Sequence, residues 1–102
     1  MSEPSVTDNV AAHRFEAHVD GRLAGVAEYQ LTDELIVFTH TEVEPEFEGQ
    51  GIGSALARFA LDQLRADGKR KAVAVCSFIK GWIERHADYL DVTYGAQPSQ
   101  AD

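Results

Sequence analysis

Three glycines at alternate positions, Gly49, Gly51 and Gly53, stand where the hydrophobic pattern of the chain changes period. Before them, Arg14-Phe15-Glu16-Ala17-His18-Val19 alternates polar and apolar residues, the pattern of a strand with one covered face. After them, Ile52, Ala55, Leu56, Phe59 and Ala60 recur at helical spacing, with Leu64 on the shoulder of the stripe. Arg58, Asp62 and Arg65 lie on the other side, and Leu61 falls outside the pattern. Strand patterning before the turn and helical patterning after it point to an α+β architecture.

The remaining elements follow from local signals. Asp20-Gly21 is a two-residue hairpin signal, so Arg22–Gln30 is expected to pair back on 14–19 as a second strand. After a turn at Thr32-Asp33-Glu34, the β-branched and aromatic run Leu35–Thr41 reads as a central strand covered on both faces. Asp67-Gly68 ends the helix. Ala72–Cys76 is a short buried strand, expected parallel to the strand before the helix because strand–helix–strand crossovers are right-handed parallel units. A second helix is expected over about Ile79–His86, with Trp82 and Ile83 as packing residues. The expectation is a mixed, mostly antiparallel sheet of about four strands with two helices. Residues 1–12 read as a flexible N-terminal arm, 13–94 as one domain, and 95–102 as a flexible tail.

Composition narrows the partners. With 102 residues the chain can bury one modest core, and its net charge of −8 disfavours nucleic acid and anionic membrane surfaces. An acidic protein attracts amines and basic tails instead. The single cysteine, Cys76, fits a reducing compartment. No basic and apolar leader opens the chain, and no run approaches the roughly 18 apolar residues of a membrane helix. A cytoplasmic monomer or weak dimer is the expectation. The four histidines and one cysteine are scattered without ligand spacing, so no metal site is expected.

Glycines between a strand and a helix allow close backbone approach, and the free N–H groups at the helix start favour an anion such as a pyrophosphate. Two phosphate motifs fail on spacing. A P-loop needs Lys-Ser/Thr after its last glycine, whereas Gly53 precedes Ser54-Ala55; a dinucleotide fingerprint needs a third glycine, absent after Gly51-x-Gly53.

His40-Thr41-Glu42-Val43, Glu48-Gly49-Gln50-Gly51-Ile52-Gly53, Cys76-Ser77-Phe78 and Arg85-His86 together resemble the small YjdJ-type branch of the GNAT superfamily of N-acetyltransferases. The resemblance covers residues 13–94. The superfamily signature Arg/Gln-x-x-Gly-x-Gly/Ala is matched at Gly51 and Gly53, while Glu48 replaces the usual Arg or Gln. The resemblance implies a minimal acetyl-CoA-dependent fold without the N-terminal helices of larger relatives, and an open acceptor side suited to a protruding lysine or small polyamine. It places the cofactor's pyrophosphate on Gly49, Gln50, Gly51, Ile52, Gly53 and Ser54, and its pantetheine beside Val43. Phe78, Arg85 and His86 fall on matching cofactor positions; the Arg85-His86 pair has the alternative of capping the second helix.

Acetyl transfer to an amine needs a positioned thioester, an oxyanion donor and a base for the ammonium proton. His40, at the end of the central strand, is the base candidate, since imidazole titrates near neutrality. Its parity also places it on the face of Ile36 and Phe38, as a core histidine would be. Cys76 ends the neighbouring strand and is either a thiolate nucleophile or a residue lining the thioester. Glu42, Glu44, Glu46 and Glu48 alternate before the glycine turn, as a rim for a cationic amine or a solvated loop. Lys69-Arg70-Lys71, with Lys80 and Arg85, forms the basic concentration that would meet cofactor phosphates. Two other readings remain: a non-catalytic acyl-CoA-binding regulatory module, and an interaction domain with Trp82 and Tyr89 as surface anchors.

Overall fold

The computed structural model describes residues 3–95, so the expected tail beyond Gly95 lies outside the described residues. Five strands form one sheet: β1 (Ser5–Asn9), β2 (Arg14–Val19), β3 (Arg22–Leu31), β4 (Leu35–Val43) and β5 (Lys71–Ala74), in the order β1-β2-β3-β4-β5. The first three pairings are antiparallel, and β4–β5 is parallel with Leu35 opposite Lys71 and Phe38 opposite Ala74. The helices are α1 (Ile52–Asp67) and α2 (Ser77–Arg85), with short 3-10 turns at Val10–Ala12, Pro45–Phe47 and Ala87–Val92.

The extra strand corrects the expected arm: Ser5–Asn9 pairs with β2 from Ser5 opposite His18 to Asn9 opposite Arg14. Its segment is polar because it is an edge strand with only Val6 packed against the core. Side chains complete its attachment. The Tyr29 hydroxyl donates to Asp8 Oδ1 at 2.6 Å, and Asn9 Nδ2 donates to Glu16 Oε2 at 2.9 Å.

The core lies between one face of the sheet and the two helices. Phe15, Ala17, Ala27, Tyr29, Ile36 and Phe38 meet Leu56, Ala60, Leu61 and Leu64 of α1 and Ile79, Trp82 and Ile83 of α2. Leu61 is fully buried because α2 and the 87–92 turn widen the covered side of α1 beyond the stripe expected from sequence. Strand β4 is interior to the sheet but not covered on both faces. Ile36 and Phe38 are buried, whereas Leu35 and Val37, which point the other way, are only half-buried.

A β-bulge in β4 redirects its second half. Tyr29 pairs with Phe38 but Glu28 pairs with His40, so Thr39 is an extra residue on β4. Because side chains alternate with period two, one inserted residue exchanges the faces. Thr41 and Val43 thus continue the inner face, and His40 turns outward with Glu42. The simple parity that would bury His40 beside Phe38 does not hold.

The C-terminal part is tied to α1 by polar contacts. Arg65 Nη2 donates to Asp91 Oδ1 at 2.6 Å, and the Tyr89 hydroxyl donates to Asp62 Oδ1 at 2.7 Å. Trp82 and Tyr89 are 1% and 4% exposed, so neither is the surface anchor of an interaction domain.

Candidate active site

The site is built where β4 and β5 part. The backbone N–H groups of Val75 and Cys76 both donate to the Phe38 carbonyl, at 2.9 and 3.0 Å, and the parallel ladder ends there. Beyond that point β4 runs on to Val43 while the chain after β5 turns into α2. Among the described residues nothing pairs with the β5-facing backbone of β4 past Phe38. An extended chain carrying amides has unpaired groups to meet there.

The glycine turn opens onto this gap. Gly49 and Gly51 have φ of +84° and +79°, and Gly51 is the N-cap of α1. Few residues but glycine adopt that conformation without strain. The first helical bond runs from Ala55 N–H to the Gly51 carbonyl at 3.0 Å. The N–H groups of Ile52, Gly53 and Ser54 therefore have no partner within the helix. Gly53 has ordinary helical angles but lies under the Phe78 ring, where a Cβ would come within 2.5 Å of Cζ. Val43, Phe47, Glu48, Gly49, Gly51, Ile52, Gly53, Ser54 and Phe78 line a cleft of about 350 Å³. Gly25 sets the position of α1 against the sheet: a Cβ there would come within 2.9 Å of both the Glu42 carbonyl and Ile52 Cγ2.

The two side chains expected to be reactive, Cys76 and His40, lie on opposite sides of β4. Cys76, half-buried at the N-cap of α2, has its Sγ 3.2 Å from Thr41 Oγ1. His40 is 55% exposed on the outer face, with Nε2 3.4 Å from Glu42 Oε1. Glu28 stands directly across from it on β3. Alternation between neighbouring residues separates His40 from the Thr41–Cys76 pair.

Of the expected cofactor positions, Val43, Gly49, Gly51, Ile52, Gly53, Ser54 and Phe78 share the cleft, and Gln50 belongs to the same turn. Ser54 Oγ accepts a hydrogen bond from Trp82 Nε1 at 3.0 Å. Arg85 and His86 do not line the cleft. His86 is the C-cap residue of α2, with Nδ1 2.7 Å from the Trp82 carbonyl and its ring stacked on the indole at 3.8 Å, which is the capping alternative. Arg85 folds back along α2 toward Gly81.

The charged segments are arranged differently from expectation. Lys69-Arg70-Lys71 lies at the start of β5, the opposite end of the sheet from the cleft, because β5 runs parallel to β4. There Arg70 Nε donates to the Thr32 carbonyl and Lys71 Nζ to the Asp91 carbonyl, both at 2.7 Å. Of the alternating glutamates, Glu46 pairs with Arg22, Glu42 meets His40, and Glu48 lines the cleft. Among the described residues no group of three or more His, Cys, Asp or Glu side chains is placed to hold a metal ion, and no helix is long and apolar enough to cross a membrane.

This arrangement is that of known N-acetyltransferase folds. The sequence model of the GCN5-related N-acetyl-transferases matches residues 14–92. A GCN5-like protein of Staphylococcus aureus has a similar solution structure, with a TM-score of 0.71 and 26% identity over 99% of this chain and 98% of that one. The ribosomal-protein-S18-alanine N-acetyltransferase of Escherichia coli shares the fold, with a TM-score of 0.60 and 17% identity over 85% of this chain and 76% of the other. No curated protein sequence matches the chain. The chain belongs to the GCN5-related N-acetyltransferase family.

Proposed function

We propose that this protein moves the acetyl group of acetyl-CoA to a primary amine presented at the open face of the sheet, such as a protruding lysine or a small polyamine. The parting of β4 and β5 at the Phe38 carbonyl, beside the free N–H groups of α1, carries this reading. The residues fit the cofactor: Gly49–Ser54 offer backbone donors to a diphosphate, and the unpaired edge of β4 near Val43 offers partners to pantetheine amides. That path ends near Thr41 and Cys76.

The amine nitrogen attacks the thioester carbonyl carbon, the C–S bond breaks, and the departing thiolate takes up a proton. His40 is the base that removes the ammonium proton, and Glu42 supports the imidazolium that results. His40 and Glu42 are 55% and 66% exposed on the outer face, so an amine attached to a larger molecule has access. Cys76 lies on the inner side, against Thr41, either lining the thioester or accepting the acetyl group before the amine does. In the second case Sγ forms the new thioester and CoA leaves with the thiol proton.

The test combines binding and turnover. CoA should raise the melting temperature, and acetyl-CoA consumption should rise above hydrolysis with an amine panel that includes spermidine and a lysine-rich peptide. Intact mass after acetyl-CoA alone distinguishes the routes, since an adduct lost in Cys76→Ala identifies the thiol as the carrier. Binding without turnover on any amine would leave a non-catalytic acyl-CoA module; no binding would remove the reading altogether.

A further inference from the structure

A second cavity lies at the other end of α1. Asp8, Val10, Phe15, Tyr29, Leu31, Ile36, Ala60, Gln63, Leu64, Asp67 and Arg70 line a hollow of about 350 Å³ between the C-terminal half of the helix and the far end of the sheet. Ile52, in the first cleft, and Leu64, in this one, are about 18 Å apart along the helix axis. Neither cavity shares a lining residue with the other.

The hollow has an apolar floor and a charged mouth. Phe15, Tyr29, Ile36 and Leu64 are buried beneath it. Asp8 and Asp67 stand at its edge, and among the described residues neither has an ion-pair partner. The Tyr29 hydroxyl donates to Asp8 Oδ1, which holds that carboxylate in place and leaves its other oxygen available. Burial, and next the bond to Asp8, push the Tyr29 phenol well above its ordinary range, so it remains a donor. Asp67 is the last residue of α1, where the helix dipole adds negative potential to the carboxylate. Arg70, the cation at the mouth, directs its Nε to the Thr32 carbonyl.

We infer that this hollow is a binding site for a small primary ammonium ion with an apolar tail, the ammonium between Asp8 and Asp67 and the tail over Phe15, Ile36 and Leu64. A hydrated inorganic cation would leave the exposed Val10 and Leu31 side chains of the lining in water, and a neutral hydrocarbon would leave the net negative charge of Asp8, Asp67 and Arg70 unmatched. The volume lies at the lower end of small-molecule pockets, which suits a chain of about six carbons. This site is independent of acetyl transfer and is occupied without acetyl-CoA.

The test is a titration of the isotope-labelled protein with n-hexylammonium chloride, followed by amide NMR shifts. Saturable shifts in the millimolar range are expected at Asp8, Phe15, Tyr29 and Leu64 and not at Gly49–Ser54. Asp67→Asn, at an exposed helix end, should weaken binding roughly threefold, and the Asp8→Asn/Asp67→Asn pair about tenfold. Hexanol and hexanoate should bind at least about tenfold more weakly than the amine. No saturable shift, equal binding of hexanol, tighter binding of norleucine through Arg70, or shifts confined to the Gly49–Ser54 cleft would each overturn the assignment.

Discussion

Trp82 Nε1 donates its hydrogen to Ser54 Oγ across 3.0 Å, linking α2 to the third residue of α1. An indole N–H is only a donor, so the serine oxygen is the acceptor and its own hydrogen is free to be given elsewhere. Among the described residues that hydroxyl has no acceptor, and it borders the cleft. Trp82→Phe keeps the ring against His86 and Arg58 but removes the N–H. The expected result is about fivefold weaker binding of CoA, with binding of acetyl-pantetheine, which lacks the diphosphate, unchanged. Calorimetric titration of both ligands checks this. In a Ser54→Ala background the tryptophan substitution should have no further effect on CoA.

The two glycines that flank Ile52 should separate by mechanism. Gly51 adopts a φ of +79°, so Gly51→Ala is expected to cost about 1–2 kcal/mol of stability. Gly53 has no such constraint, and the nearest atoms a Cβ there would strike belong to the Phe78 ring, which is 38% exposed and able to swing out. Gly53→Ala should therefore change the melting temperature little, helped by the helix preference of alanine, while losing CoA affinity through the displaced ring and the filled floor of the cleft. Thermal melts paired with CoA titrations distinguish the two.

Gly25 supports the site from beneath. A methyl group there would meet the Glu42 carbonyl and Ile52 Cγ2, and the carbonyl belongs to the paired backbone of β4. Gly25→Ala is expected to destabilise the fold by about 1–3 kcal/mol, a fall of roughly 4–8 °C for each kcal/mol. Its signature in a surviving fold is weaker CoA binding, because Ile52 opens the helix whose N–H groups face the cleft.

Much of this architecture is written in local signals. The Asp20-Gly21 hairpin, the Gly68 helix stop and the β-branched strand before the glycine turn each act within a few residues, and all three are realised. The outward turn of His40 is different in kind. It depends on a single extra residue, Thr39, whose insertion shows only when β3 is aligned with β4. The Thr41–Cys76 contact likewise joins residues 35 positions apart. The edge strand at Ser5–Asn9 is not legible in the sequence because one inward valine is too little pattern to distinguish a strand from a polar arm. By charge the basic run at 69–71 reads as a phosphate site, and only the parallel direction of β5 removes it to the far end.

Stability should fall at alkaline pH through Tyr29 and Tyr89. Burial first, and then the bond to Asp8, raise Tyr29; the bond to Asp62, followed by burial, raises Tyr89. The unfolded phenols ionise near pH 10, while the folded ones keep their protons higher. Their stabilisation is thus fully present below about pH 10 and is lost as pH rises through the folded values. Tyr29→Phe should be less stable than the parent at pH 7 by about 1 kcal/mol, with a flatter decline above pH 10. Urea unfolding at neutral and alkaline pH measures the difference.

Glu48 lines the cleft where the proposed diphosphate would lie, so its carboxylate stands beside the anion. Among the described residues it has no cationic partner, and no basic side chain lines the cleft to offset it. Attraction for the anion therefore rests on backbone N–H groups, and the carboxylate opposes it. Glu48→Gln should tighten CoA binding by roughly two- to fivefold at low salt, an effect of the size expected for one exposed charge. The gain should shrink as ionic strength rises, since screening weakens the repulsion it removes. Acetyl-pantetheine, which carries no phosphate, should bind parent and variant alike; a gain for that ligand too would place the diphosphate away from Glu48.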